Sequence, residues 1–292
     1  MAAETRLGFI GLGAMGGPMS ANMASAGHAL TVYDAAGTAA RAPEGSRAAE
    51  SSWEVAAQAS TVLLSLPDGD VVNAVVDEVL SAPERVVETV VDLSTIGISA
   101  AEAVAAKLEA ADVAYLDAPV SGGVSGATAG SLALMAAGSR ETFERLDPVL
   151  ASIAKNRFHV GERPGQGQAT KLLNNFLSGT ATAATSEAVL FGLRHELDMA
   201  TILDVLNASS GRNTATSGKF QQTVLTRTFD GGFAAALMAK DVRLFRERSE
   251  EIGQLGTVGA TVAGLWAEMS EAMPGADSMR MYEYLEQQLS AD

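Results

Sequence analysis

The spacing of apolar positions changes character once, near the middle of the chain. Up to about residue 160, short apolar runs alternate with stretches of helical period; beyond it only the helical period remains. Runs at Leu7–Ile10, Ala29–Tyr33, Thr61–Leu66, Val86–Leu93, Val113–Leu116, Leu132–Met135 and Arg157–Val160 predict strands, most of them without the polar alternation of a half-exposed sheet. Helices are predicted between them: through Met19, Met23 and Ala26, through Val71 to Val79, and over 100–109 and 141–150. From Ala169 to about His195 the pattern is one helix, which would span roughly 40 Å. Further helical segments follow near 200–208, 217–225, 233–252, 258–273 and 279–289. The expected class is a doubly wound α/β domain with a mainly parallel sheet over 1–164. An all-helical domain over 165–292 should follow, with 165–195 as the interdomain helix.

The first strand runs directly into Gly11, Leu12, Gly13, Ala14, Met15 and Gly16, a G-x-G-x-x-G turn that opens a helix. Glycines allow the tight turn, the approach of backbone to a pyrophosphate and close packing of helix on strand, while the helix N-terminus faces the phosphates. Asp34 stands at the end of the second strand, where a carboxylate accepts hydrogen bonds from the adenosine ribose hydroxyls and repels a 2′-phosphate. The neighbours Ala35 and Ala36 supply no cation; Arg41 could reach back, from seven residues away. These residues predict a Rossmann-type domain that takes NAD in preference to NADP. Ligands of open α/β sheets bind beyond strand C-termini, which makes Leu66, Pro67, Ser94 and Thr95 cofactor-rim candidates.

Composition narrows the chemistry. The formal net charge of −15 argues against nucleic acid as a partner, and the absence of cysteine removes thiolate catalysis, disulfides and cysteine-held metals. His28, His159 and His195 are too far apart for metal-ligand spacing. The chain shows neither a cleavable leader pattern nor an apolar run long enough to span a bilayer, so the expectation is a cytoplasmic protein with no membrane partner.

Two stretches carry candidate chemistry. Ser121 to Ala129 is rich in Ser, Gly and Thr and is expected to be a loop whose backbone N–H groups form a nest for a carboxylate. Lys171 and Asn175 lie four residues apart, on one face of the long helix. There a lysine can exchange a proton with a substrate hydroxyl while the asparagine holds the substrate. A helix-surface lysine and a capping asparagine are the plain alternative.

Four blocks, in order, resemble the β-hydroxyacid dehydrogenase family, most closely its 3-hydroxyisobutyrate dehydrogenase branch. They are Gly8–Gly16, Asp117–Gly123, Gly165–Asn175 and the pair Lys240 and Asp241. The resemblance implies that Ser121, Gly122 and Gly123 bind the substrate carboxylate. It makes Lys171 the general acid/base and Asn175 the residue that orients the substrate. Lys240 closes the site near the nicotinamide with Asp241 beside it, Thr95 touches the nicotinamide end, and Ser178, seven residues past Lys171, lines the pocket. The implied reaction is reversible hydride transfer at a carbinol carbon β to a carboxylate. A lysine serves as base there only if its pKa falls from about 10.4, which burial and a neighbouring cation promote.

The same resemblance sets the rivals. Imine reductases share the fold but usually replace the lysine, and a non-catalytic dinucleotide-binding scaffold would have lost it; Lys171 argues against both. 6-Phosphogluconate dehydrogenase shares the blocks in a longer chain and decarboxylates. Substrate candidates are 3-hydroxyisobutyrate, tartronate semialdehyde or glycerate, L-serine, threonate and sulfolactaldehyde, all small and carboxylate- or sulfonate-bearing. The segment Ser209–Ser217 is the candidate specificity element, with Arg212 either pairing a second anionic group or lying on the surface. A homodimer or homotetramer is the implied assembly.

Overall fold

The computed structural model describes residues 6–254 and 256–290. The outer ends of the two predicted domain ranges lie outside the described residues. By compactness the chain divides into a unit Met1–Lys171 and a unit Leu172–Asp292, so the division falls inside the long helix rather than at its start.

The first unit comprises β1 (Leu7–Ile10), α1 (Gly16–Ser25), β2 (Leu30–Tyr33), β3 (Arg47–Ala48), α2 (Ser52–Gln58), β4 (Thr61–Leu64), α3 (Gly69–Ser81) and β5 (Thr89–Asp92). It continues with α4 (Ile98–Glu109), β6 (Ala114–Asp117), β7 (Val120–Ser121), α5 (Gly123–Thr128), β8 (Leu132–Ala137), α6 (Arg140–Leu150) and β9 (Ala154–Gly161). The parallel strands run in the order β3–β2–β1–β4–β5–β6. β8 then pairs antiparallel with β6 and β7 and parallel with β9. Chain direction across the sheet reverses between β1 and β4, where Ile10 lies beside Leu64, and that switch point is where such sheets bind dinucleotides.

Alternate strand residues feed two apolar layers. Phe9, Leu63 and Val91 pack with Met19 and Met23 on one face, while Ile10, Val62, Leu64 and Val90 pack with Val72, Val104 and Leu108 on the other. Each such side chain contributes about 1.5–3 kcal/mol on burial, which is why apolar runs without alternation form these central strands.

Three expectations change here. Only Thr89–Asp92 of the predicted 86–93 region is strand; Val86 instead donates its N–H to Ala56 O at 3.0 Å. The short edge strand β3 and helix α2, which Ser51 caps by accepting from Glu54 N at 3.2 Å, fall in a stretch with no predicted element. The expected loop at 121–129 is largely helix: Gly122 (φ 137°) and Gly123 (φ 65°) turn the chain from β7 into α5. Ser-, Gly- and Thr-rich composition predicts the turn but not the helical turns beyond it.

The second unit takes over within α7 (Gln166–Arg194), followed by α8 (Met199–Asn207) and a wide helical segment Ala215–Val224 broken at Gly218. Helices α9 (Ala235–Glu251), α10 (Thr257–Ala272) and α11 (Met281–Ser290) complete it. Its core gathers Val189, Leu190, Phe220, Met238, Trp266 and Tyr282. The indole of Trp266 is fully buried and donates to Gly179 O at 3.3 Å, tying α10 to α7. Phe176 and Phe245 stack with ring centroids 4.2 Å apart and so tie α7 to α9. Among the described residues no helix is long and apolar enough to cross a membrane, and no group of His, Cys, Asp and Glu could hold a metal ion.

Candidate active site

In the first unit, the turn after β1 does what its glycines require. Gly11 has φ 96°, and a Cβ there would lie 2.3 Å from Ser65 O; a Cβ on Gly16 would lie 1.9 Å from Gly11 O. Those two glycines are demanded by the fold itself. Gly13 is different: it is exposed, and a Cβ there would meet nothing within 4 Å, so the fold itself does not demand a glycine there. Ala14 is exposed beside it, while Leu12 is buried and Met15 half-buried. Helix α1 begins with no side-chain cap and no acidic residue in its first turn; of that turn, Gly17 N donates to Gly13 O at 2.9 Å and Pro18 has no N–H. The fit to a dinucleotide pyrophosphate therefore rests on Gly13 and the uncapped α1.

Asp34 braces the turn. Its carboxylate accepts from Leu12 N at 2.6 Å and from Ala36 N at 2.8 Å. Arg41, distant in sequence, reaches back to place Nη1 3.6 Å from Asp34 Oδ1. A cation thus stands beside the Asp34 carboxylate, supplied by the nearby residue that could reach back to it.

Leu66 donates its N–H to Ser94 Oγ at 2.9 Å, which joins the two strand-end turns predicted as the cofactor rim; Pro67 is exposed and Thr95 half-buried. Behind them lies a buried polar joint. Gln168 Oε1 accepts from Ile96 N at 2.9 Å and Gly97 N at 3.1 Å, and its Nε2 donates to Ser94 O at 3.1 Å and Asp117 Oδ1 at 2.7 Å. Asp117 Oδ2 accepts from Gly165 N at 3.0 Å and Gln168 N at 3.1 Å, capping α7. A side chain at Gly167 would lie 2.6 Å from Met135 O, so only glycine lets α7 begin this close to the sheet. One turn past Gln168, Lys171 is 6% exposed, not a solvated surface lysine. Burial pushes the Asp117 carboxyl up to about 6 against the pull of its donors, and pushes the Asp92 carboxyl up to about 7 against its bonds from Ser94 and Tyr115.

Ser121 and Gly123 are half-buried and Gly122 is exposed at the N-terminus of α5, which has no side-chain cap. The residues expected to form a carboxylate nest stand at a helix N-terminus.

In the second unit, the structure brings together Asn175, Lys240 and Asp241 of the predicted residues. Asn175 Nδ2 donates to Asp241 Oδ2 at 2.5 Å, and Lys240 Nζ lies 3.4 Å from Asp241 Oδ1. Asn175 Oδ1 accepts from Asn174 Nδ2 at 3.1 Å. An amide side chain can make four hydrogen bonds, so among the described residues half of the Asn175 capacity is open although the residue is 5% exposed. Ser178, one turn further along the same face of α7, accepts from Lys219 Nζ at 3.4 Å. Arg212 is exposed, with Nε 3.5 Å from Ser217 Oγ, and so belongs to the surface.

The family model for the NAD binding domain of 6-phosphogluconate dehydrogenase matches residues 6–161. The model for NAD-binding of NADP-dependent 3-hydroxyisobutyrate dehydrogenase matches residues 165–285. The 3-hydroxyisobutyrate dehydrogenase of Pseudomonas aeruginosa is 36% identical over 278 residues, covering 92% of this chain and 93% of its own. The chain belongs to the β-hydroxyacid dehydrogenase family, in its 3-hydroxyisobutyrate dehydrogenase-like branch.

The 2-(hydroxymethyl)glutarate dehydrogenase of Eubacterium barkeri is 37% identical over 256 residues, covering 86% of this chain and 84% of its own. The solved Mycobacterium tuberculosis 3-hydroxyisobutyrate dehydrogenase with L-serine has a TM-score of 0.88 at 32% identity, covering 96% of this chain and 99% of that one. The chain is thus an oxidoreductase with an NAD(P)-binding domain. Within this dehydrogenase, sequence reasoning missed Gln168 and Lys219. Gln168 sits inside a recognised block, where a glutamine three residues before the lysine on a helix was the available signal. Lys219 had none: it is one cation in a polar stretch, and only the fold brings it to Ser178.

Proposed function

We propose that this dehydrogenase transfers a hydride reversibly between NAD and the carbinol carbon of a small β-hydroxy acid of the 3-hydroxyisobutyrate type. Bound nicotinamide supplies the hydride acceptor. The turn Gly11, Leu12, Gly13, Ala14, Met15 and Gly16 and the uncapped start of α1 hold the pyrophosphate, Asp34 takes the ribose hydroxyls, and Leu66, Pro67 and Thr95 line the nicotinamide end. Lys171 takes the hydroxyl proton as the carbon loses its hydride and returns it in the reverse direction. Asn175 holds the reacting end of the substrate with the amide capacity that Asn174 and Asp241 leave open. Ser121, Gly122 and Gly123, with the N–H groups that open α5, receive the carboxylate. Lys240, with Asp241 beside it, closes the site near the nicotinamide. The observation that carries this reading is the buried, half-filled Asn175 amide one turn from buried Lys171 on a single helix.

NADP has one observation in its favour, Arg41 beside Asp34, since a cation there can face a 2′-phosphate. The test is the reduction of each cofactor, followed by absorbance, with 3-hydroxyisobutyrate, L-serine, glycerate, threonate and 2-(hydroxymethyl)glutarate. The reading expects turnover on at least one of these, with NAD favoured. No turnover with any acid on either cofactor would remove it. A homodimer or homotetramer goes with this reading, supported by Leu173, Leu177 and Phe191, which leave an apolar stripe exposed along α7.

A further inference from the structure

Lysines are rarely buried without an acidic partner, because an ammonium group taken from water needs a counter-charge. The chain has an excess of such partners, with 35 acidic residues against 20 basic ones. Lys219 nevertheless sits half-buried, and among the described residues no carboxylate stands within ion-pair distance of its Nζ. It makes a long hydrogen bond of 3.4 Å to Ser178 Oγ. The nearest acidic influence is Asp277, whose two oxygens are already engaged by Phe233 N at 3.1 Å and Met279 N at 2.8 Å. Burial lowers the Lys219 pKa, and Asp277 only partly offsets this. The contrast is Lys240, which has Asp241 at 3.4 Å.

The position of this charge is specific. Ser178 follows Asn175 by three residues, so the two share a face of α7 and are offset by about 4.5 Å along its axis. That offset matches a three-carbon arm reaching from a carbon held at Asn175. We propose that Lys219 and Ser178 receive a second anionic group of the substrate, so that the preferred β-hydroxy acid is a diacid. The inference rests on the reading that Asn175 faces the reacting end. An incoming carboxylate would supply the missing counter-charge and accept from both Lys219 Nζ and Ser178 Oγ.

Three acids of the form HOCH2–CH(COO⁻)–R separate the cases, with R methyl, n-propyl or carboxyethyl. For the unmodified chain, kcat/KM should be at least about tenfold higher for carboxyethyl than for n-propyl, through KM. Lys219→Met should lose at least about thirtyfold more on carboxyethyl than on n-propyl, and Lys219→Arg should keep most of the preference. Equal or better use of the n-propyl acid by the unmodified chain would overturn the proposal, whether or not the variants fold. Equal losses of Lys219→Met on both acids would overturn it as well. If none of the three acids turns over, the dehydrogenase reading falls first and this inference with it, whereas turnover of the methyl acid without a carboxyethyl preference removes the inference alone.

Discussion

Each unit buries one amide against one carboxylate, and the two pairs are used in opposite ways. In the dinucleotide unit, Gln168 bonds to Asp117 at 2.7 Å, and the protein also fills its other three positions with Ile96 N, Gly97 N and Ser94 O. In the helical unit, Asn175 bonds to Asp241 at 2.5 Å, and the described residues supply just one further bond, from Asn174. A buried polar group with every position filled holds structure together; one left half-filled has room for a ligand. Gln168 is a joint between the Ser94–Gly97 turn and the start of α7, and Asn175, under the proposed function, is a contact point for substrate.

The comparison is broken most severely at Gln168. Gln168→Leu strips a partner from two buried N–H groups, a carbonyl and a carboxylate. The first unit should lose about 3–5 kcal/mol in denaturant unfolding. A loss below about 1 kcal/mol would mean the joint is not structural. Asn175→Ala should cost less than half as much stability, yet lower kcat/KM by about 100-fold. If the two variants trade these effects, the assignments are reversed.

The glycine turn offers the same contrast on a smaller scale. Gly16→Ala forces a Cβ to 1.9 Å from Gly11 O and should destabilise the unit. Gly13→Ala enters open space, so unfolding should move by no more than about 0.5 kcal/mol while cofactor affinity drops about tenfold. Intact cofactor binding in Gly13→Ala would separate that residue from the pyrophosphate.

A further effect is a pH dependence and concerns Asp92, raised to about 7 by burial. Between its unfolded pKa near 3.9 and about 7, the folded chain holds this proton more tightly than the unfolded one. Its contribution to stability is therefore favourable in acid, declines as pH rises through that window and is flat above it. Asp92→Asn keeps an acceptor for Ser94 N and should remove this slope, making the variant relatively more stable at pH 8 than at pH 4. A constant difference between variant and parent across the window would show that Asp92 does not titrate there.

Most of the dinucleotide unit was legible because its strands are apolar on both faces and its glycine turn has a fixed context. Lys171, Asn175 and Asp241 were legible through the blocks that carry them. The remainder depended on contacts between residues distant in sequence. Arg41 reaches Asp34 only because the chain after β2 folds back, and α5 hides in a composition that reads as loop. Lys219 gains its meaning from Ser178, 41 positions away. Gln168 looks like any polar helix residue until Asp117 and the Ser94–Gly97 turn close around it.

The central claim is that Lys171 moves the proton during hydride transfer. Its most direct test is Lys171→Ala, with turnover of the best β-hydroxy acid measured beside cofactor affinity from the fluorescence of the reduced nicotinamide. The account predicts a cofactor dissociation constant within about threefold of the parent and turnover lower by about 1000-fold or more, within the range for general acid–base groups. Turnover near that of the parent, with affinity unchanged, would contradict it.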